Sequence, residues 1–256
     1  MADLDSKRRF GNRVCAYRSA RPGYPDELVD RLLAEVPTEE PEVAELGSGT
    51  GIFTGALLER GCHVYAVEPN AEMRTAGEAV FAGNPNFSSV AASAEETGLE
   101  VASVDLIVSA QAFHWFDFDR TRAEAERILR SPGVVAWVWN SRRTTGAAFA
   151  EAFERLLEEW GNDYEEVRST YRVRERLADF FPESRLERAV FDNSQQLDLL
   201  SLRTRVLSAS YMPASGHPRH QGMLDSLERL FESHNTAGSV RLDFDSELFW
   251  TSRPSR

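Results

Sequence analysis

The stretch Val43-Ala44-Glu45-Leu46-Gly47-Ser48-Gly49-Thr50-Gly51-Ile52 constrains this chain more than any other, because an apolar strand carrying an acid meets three alternating glycines and then a helix. Glycine at a strand-to-helix turn takes positive φ without strain and leaves no side chain between the backbone and a ligand. The helix beginning near Ile52 turns unpaired N–H groups toward the same point. Such a turn reads as a nucleotide-type cofactor site. Its spacing, through Gly47, Gly49 and Gly51, is G-x-G-x-G; the dinucleotide fingerprint G-x-G-x-x-G wants its third glycine where Ile52 stands.

Helical spacing over Ile52 to Arg60 stops at Gly61, and His63 to Val67 then reads as a buried strand ending at Glu68-Pro69-Asn70. An acid at the tip of the second strand, about 20 residues past the first glycine, is placed to accept both hydroxyls of a ribose. Glu68 therefore indicates an adenosine cofactor without saying which one.

Strands and helices alternate along the chain in the way that builds a parallel sheet covered on both faces. A leading helix over Pro25 to Val36 precedes the first strand, third and fourth strands fall at Phe87 to Ala91 and Val104 to Ser109, and a helix around Arg120 to Leu129 ends at Ser131-Pro132-Gly133. The apolar run Val134 to Trp139 predicts a strand buried on both faces. From Ser141 to about Phe181 the pattern turns helical and charged, most clearly over Ala147 to Trp160, which predicts an inserted lid rather than a sheet layer. A sixth strand over Arg185 to Phe191, helices over Leu197 to Ala209 and His217 to His234, and a closing strand over Val240 to Trp250 complete the reading. The organisation expected is one domain over 1–256: an N-terminal lid and leading helix (1–40), a cofactor-binding core (41–140), a helical insertion after the fifth strand (141–184) and the C-terminal part of the sheet with substrate-side helices (185–256).

Four motifs in order, ELGSGTG, VEPN, SAEE after the third strand and SAQAFHWFD after the fourth, make the chain resemble the class I methyltransferases that use S-adenosylmethionine. Tyr17 with Arg21-Pro22-Gly23-Tyr24-Pro25, and Phe113-His114-Trp115-Phe116, are similar to the small-molecule branch that includes trans-aconitate methyltransferase. The likeness covers roughly residues 10 to 140. It implies a doubly wound, seven-stranded, mostly parallel Rossmann-like sheet with an antiparallel last strand. It also implies in-line transfer of a methyl group to a small-molecule acceptor, a carboxylic acid or a natural-product intermediate, leaving S-adenosylhomocysteine. On this resemblance the backbone at Gly47, Gly49 and Gly51 lies against the cofactor, Glu45 meets its α-amino group, and Glu68 grips the ribose. Asn70, Met73, Ala94 and Glu95 border the adenine. Gln111, Ala112, Trp115 and the neighbouring Phe113 and Phe116 wall the methyl-transfer end, where aromatic faces favour a cation. Tyr17 and Arg21 belong to a lid that orders when ligand arrives.

His114 is the ionisable side chain of that cluster with a pKa suited to accepting a proton near neutrality, and is the candidate base. A carboxylate acceptor, already ionised, would need none. Arg142 and Arg143 follow the fifth strand at the carboxyl edge of the sheet, where ligands bind in such folds, and either can read an acidic substrate. The pair His217 and His220 lacks a third ligand at useful spacing, so no metal is expected.

Composition narrows the partners. A net charge of −12 disfavours a nucleic-acid partner, since phosphate contacts drive that affinity. No apolar run approaches the roughly 20 residues needed to cross a bilayer, and MADLDSKRRF lacks the apolar core of a secretory signal. Cys15 and Cys62 form neither a disulfide framework nor a zinc motif, which suits a cytoplasmic setting. Oligomeric state is not readable. Two other readings keep the same cofactor half: a nicotinamide-dependent oxidoreductase, which the glycine spacing opposes, and a cofactor-binding protein without catalysis.

Overall fold

A computed structural model describes residues 20–164 and 171–253. Seven strands form one sheet: β1 (Glu42–Leu46), β2 (His63–Val67), β3 (Phe87–Val90), β4 (Val104–Ala110), β5 (Leu129–Arg142), β6 (Glu187–Leu197) and β7 (Val240–Arg253). Their order is β3-β2-β1-β4-β5-β7-β6. The first five strands run parallel, while β7 pairs antiparallel with both β5 and β6, so the expected mostly parallel sheet with an antiparallel last strand is what forms. The order reverses direction between β1 and β4, and in open α/β sheets the crevice beyond the carboxyl ends at such a switch point takes the ligand.

Seven α-helices complete the described elements: α1 (Asp26–Leu33), α2 (Ile52–Leu58), α3 (Ala71–Val80), α4 (Phe118–Ile128), α5 (Ala148–Trp160), α6 (Leu199–Ser208) and α7 (His220–His234). Short 3-10 segments occupy Phe113–Trp115 and Tyr171–Asp179. Alternation along β5 divides the core. Val134, Ala136 and Val138 join Leu28 and Leu32 of α1 and Phe53 and Leu57 of α2 on one face. Val135, Trp137 and Trp139 join Phe118, Ala125 and Ile128 of α4, with Leu177 and Phe180, on the other. Successive side chains of a strand point to opposite faces, so a near-continuous apolar run is what a doubly covered strand requires.

Three differences from the sequence reading have physical causes. Ser131-Pro132-Gly133 is not a loop between α4 and β5 but lies inside β5, where the pairing with β4 slips between Val104 and Leu106. A local irregularity of this kind takes up extra residues without ending the ladder. Strand β6 runs on to Leu197 through the polar segment Asp192 to Gln196, because β7 supplies backbone partners along its whole length. Such pairing overrides side-chain propensity. The insertion is helical but is no detached lid: Phe149, Phe153, Leu156 and Leu157 of α5 pack with Leu224 and Leu227 of α7, Leu202 and Val206 of α6, and Leu242 and Phe244 of β7. No helix among the described residues is long and apolar enough to cross a membrane.

Candidate active site

The turn after β1 is tight for a reason visible at two glycines. A Cβ on Gly47, whose φ is +71°, would lie 2.5 Å from the Ala112 Cβ, and one on Gly51, φ +77°, would lie 2.5 Å from the Phe81 ring. Neither approach nor dihedral tolerates a side chain. Gly51 is the residue from which α2 starts. Gly47 and Ser48 give their N–H groups to the Val67 carbonyl, at 2.9 and 3.1 Å, which ties the turn to the end of β2.

That tie brings Glu68 under the loop. Its Oε2 accepts the Gly49 N–H at 2.9 Å and its Oε1 accepts the Asn70 N–H at 2.8 Å, while the residue is only 8% exposed. Burial raises its pKa above the ordinary carboxylate range, and the two backbone donors oppose the shift. A carboxylate offers about four lone-pair sites. Two are engaged by backbone, leaving one on each oxygen for a pair of donors. Glu45, at 1% exposure, accepts the Thr54 hydroxyl, and burial pushes its carboxyl up to about 8. Thr54 only partly opposes that rise, and the Glu68 charge adds to it.

Beyond β4 the chain turns through Gln111, a non-glycine residue at φ +60°. Its N–H bonds the Val138 carbonyl at 2.9 Å and its side-chain amide donates to the Asn140 carbonyl at 3.2 Å. A residue held in that region costs about 1–3 kcal/mol and persists only where its surroundings fix it. Trp115 and Phe116 line the cavity that opens here, but Phe113 does not: it is 1% exposed and packs edge-on against Trp137, Phe118 and Phe180 as core. His114 lines the cavity with its ring 4.9 Å from that of Trp115. Burial, helped by the nearby Arg174 cation, lowers its pKa to about 3, so the imidazole is neutral and weakly basic.

The cavity, of about 570 Å³, falls in the range of small-molecule sites. Arg21, Glu45, Gly47, Glu68, Asn70, Gln111, Ala112, His114 and Trp115, all singled out from the sequence, line it together. Five other expected residues do not. Gly49 and Gly51, both at positive φ, shape the turn. Met73 and Ala94, at 5% and 3% exposure, are packed inward, and Glu95 Oε1 accepts the Asp117 N–H at 2.9 Å. Asn70 caps α3, its Oδ1 accepting from the Met73 N–H at 3.0 Å. Tyr17 lies outside the described residues.

The far half of the cavity comes from residues no motif marked: Asn140, Glu154, Tyr164, Arg174, Arg205 and Tyr211. Arg142 joins them, whereas Arg143, next along β5, turns to the exposed carboxylates of Asp245 and Asp192. Arg174 is fixed by Glu247 at 2.6 Å and by the Ser141 hydroxyl at 3.0 Å, above the Trp139 ring. The lining thus combines the acids Glu45 and Glu68 beside the glycine turn with Glu154 and four guanidiniums, those of Arg21, Arg142, Arg174 and Arg205. Among the described residues no group of His, Cys, Asp and Glu is arranged to hold a metal.

Comparison with known proteins agrees with this arrangement. Residues 44–137 match the family described as a methyltransferase domain. An uncharacterized methyltransferase of Mycobacterium tuberculosis is 34% identical over 230 residues, spanning 90% of this chain and 88% of the relative. A methyltransferase-like protein of Schizosaccharomyces pombe is 28% identical over 97% of both chains. A solved structure from Anaeromyxobacter dehalogenans, assigned as a type II methyltransferase, superposes with a TM-score of 0.72 at 26% identity, covering 92% of this chain and 99% of that one. Sheet order, glycine turn and sequence relationship together place the chain: it belongs to the class I methyltransferases that use S-adenosylmethionine.

Proposed function

We propose that the protein methylates a small-molecule carboxylic acid, and that the cofactor and the acid occupy the two ends of the one cavity. The observation that carries this reading is the division of charge, with Glu45 and Glu68 below the glycine turn and the guanidiniums beyond β4 and β5. S-adenosylmethionine, when bound, supplies a methyl group made electrophilic by its sulfonium centre. The residues present fit it. Glu68 has two lone-pair sites left for a ribose diol after serving Gly49 and Asn70. Glu45 is a buried carboxyl at the strand end, suited to an ammonium group. Trp115 and Phe116 offer aromatic faces at the transfer end.

The remaining residues hold and enclose. Gln111 and Ala112 form a rigid wall, because the strained Gln111 backbone is pinned from both its amide groups. Fixing two reactants in line contributes up to about 7–11 kcal/mol in favourable systems. An acid arrives ionised, so no residue has to remove a proton. This agrees with His114, whose weak basicity suits a neutral hydrogen-bonding wall better than general-base work, for which the best pKa lies near the working pH. Accordingly His114→Ala is expected to lower kcat by less than about tenfold with a carboxylate acceptor; a larger loss with cofactor binding intact would restore the base role.

Glu68→Ala tests the cofactor half. Loss of hydrogen bonds to a charged group is worth about 1.5–3 kcal/mol, or roughly 10- to 100-fold in cofactor affinity. A change below twofold in S-adenosylhomocysteine binding, measured by calorimetry, removes the ribose assignment. Formation of S-adenosylhomocysteine from S-adenosylmethionine across a panel of acids, with no formation across the matching neutral esters, tests the acceptor half.

A further inference from the structure

The Arg142 guanidinium in the cavity is clamped along one edge. Arg142 stands at the end of β5, on the same strand face as Asn140, and its side chain is 12% exposed. Its Nη2 is held by Glu154 and by the Tyr164 hydroxyl at 3.2 Å, and its plane lies over the Phe153 ring at 5.1 Å. Its Nη1 is buried and meets no hydrogen-bond acceptor among the described residues. Buried polar groups are nearly always paired, and a donor on a charged group is among the costliest to leave unpaired.

The surroundings hold the guanidinium in place. The Tyr164 hydroxyl lies 2.9 and 3.0 Å from the two Glu154 oxygens, so the carboxylate is itself clamped. Burial keeps the Tyr164 phenol protonated by raising its pKa. Arg142, Glu154, Tyr164 and Phe153 therefore form one contacting set around the guanidinium, of which Arg142, Glu154 and Tyr164 line the cavity. Arg143 has its donors engaged by Asp245 and Asp192 at the surface and offers no such edge to the cavity.

We propose that Arg142 is the specificity-determining residue for the acceptor: its Nη1 edge binds a carboxylate oxygen of the acceptor, and Glu154 and Tyr164 are positioning residues that aim it. This rests on the acid-methylating reading above and names the residue on which that reading turns. Arginine suits the task because its fork is planar, permanently charged and orientable from one side while the other edge binds.

The test is calorimetric titration of the S-adenosylhomocysteine-loaded protein with a series of short- and medium-chain carboxylic acids and the methyl ester of each. Arg142→Met alone strands Glu154, which favours misfolding, so the decisive variant is Arg142→Met with Glu154→Gln, checked for an unchanged melting profile; Glu154→Gln alone is its control. Wild type is expected to bind at least one acid tenfold more tightly than its ester, and Glu154→Gln, which weakens the clamp on Arg142, is expected to keep only part of that preference. In the double variant that preference falls at least tenfold, Arg142→Lys recovers part of it, and S-adenosylhomocysteine affinity stays within twofold. The proposal is overturned if no acid outbinds its ester in the wild type, or if the preference in the double variant stays within threefold of wild type. Failure of S-adenosylhomocysteine itself to bind the wild type would instead remove the cofactor reading of the site.

Discussion

Glu45 carries the most consequential single property at the residue scale. Its carboxyl sits at about 8 in the folded protein because burial withdraws water and Thr54 offers only one hydroxyl. The unfolded value is about 4.5. Between those two values the folded state holds the extra proton, so Glu45 makes the unliganded protein lose stability as pH rises from about 4.5 to about 8, with no further loss above that. Glu68 shifts in the same direction, and comparison of wild type with Glu45→Gln isolates the first group. The stability difference between the two, followed by denaturant titration, is expected to move against the wild type across that window. An ammonium group beside Glu45 would reverse the preference, so on the proposed assignment cofactor binding at pH 7 is expected to release a proton. Calorimetry in buffers of different ionisation enthalpy should detect that release in wild type and not in Glu45→Gln. Equal proton release in both would take Glu45 out of the cofactor site.

At the scale of elements, the segment ahead of α1 is strapped onto the sheet by side chains far away in sequence. Asn140 of β5 and Asn193 of β6 both donate to the Gly23 carbonyl, at 3.1 and 2.9 Å. Gln195 of β6 and Arg205 of α6 both donate to the Ala20 carbonyl, at 3.1 and 3.0 Å. The strap so fixed carries Arg21, Pro22 and Tyr24 into the cavity wall. Each such bond contributes about 0.5–1.5 kcal/mol net. Removing two of them in Asn193→Ala with Gln195→Ala is expected to loosen the strap by about 1–3 kcal/mol, raising its rate of limited proteolysis about tenfold while the melting profile of the body is little changed. An unaltered rate would show that the strap is held by its own packing. Arg21 and Tyr24 were recognisable in the sequence, but their anchors were not: Asn193 and Gln195 look like ordinary polar residues until β6 is paired with β7. The same holds for β6 itself, whose polar half carries no apolar alternation strong enough to announce a strand.

For the molecule as a whole, the contrast is between a chain of net charge −12 and a cavity lined by four guanidiniums. Three carboxylates, those of Glu45, Glu68 and Glu154, share that lining, so the cavity comes near charge balance where the whole chain is strongly acidic. Ligand linkage offers the broadest check on the assignment: S-adenosylhomocysteine at 100 times its Kd adds about 2.7 kcal/mol to stability, or roughly 5–10 °C in Tm for a domain of this size. NAD at the same concentration is expected to leave Tm unchanged, and a shift with NAD but none with S-adenosylhomocysteine would overturn the choice of cofactor. The sequence by itself determined the parallel core, the glycine turn and the buried acid at the tip of β2, because these depend on local rules: glycines where φ must be positive, an apolar run where a strand is covered twice, an acid at a strand tip. It also marked Arg21, Gln111, His114 and Trp115 as neighbours of the site. Only the tertiary structure decided that Phe113 fills the core, that Arg142 faces the cavity while Arg143 faces solvent, and that Glu154, Tyr164, Arg174 and Arg205 converge on one place. Those outcomes depend on which strand face a residue takes and on pairings between segments up to about a hundred residues or more apart, and no local pattern encodes either.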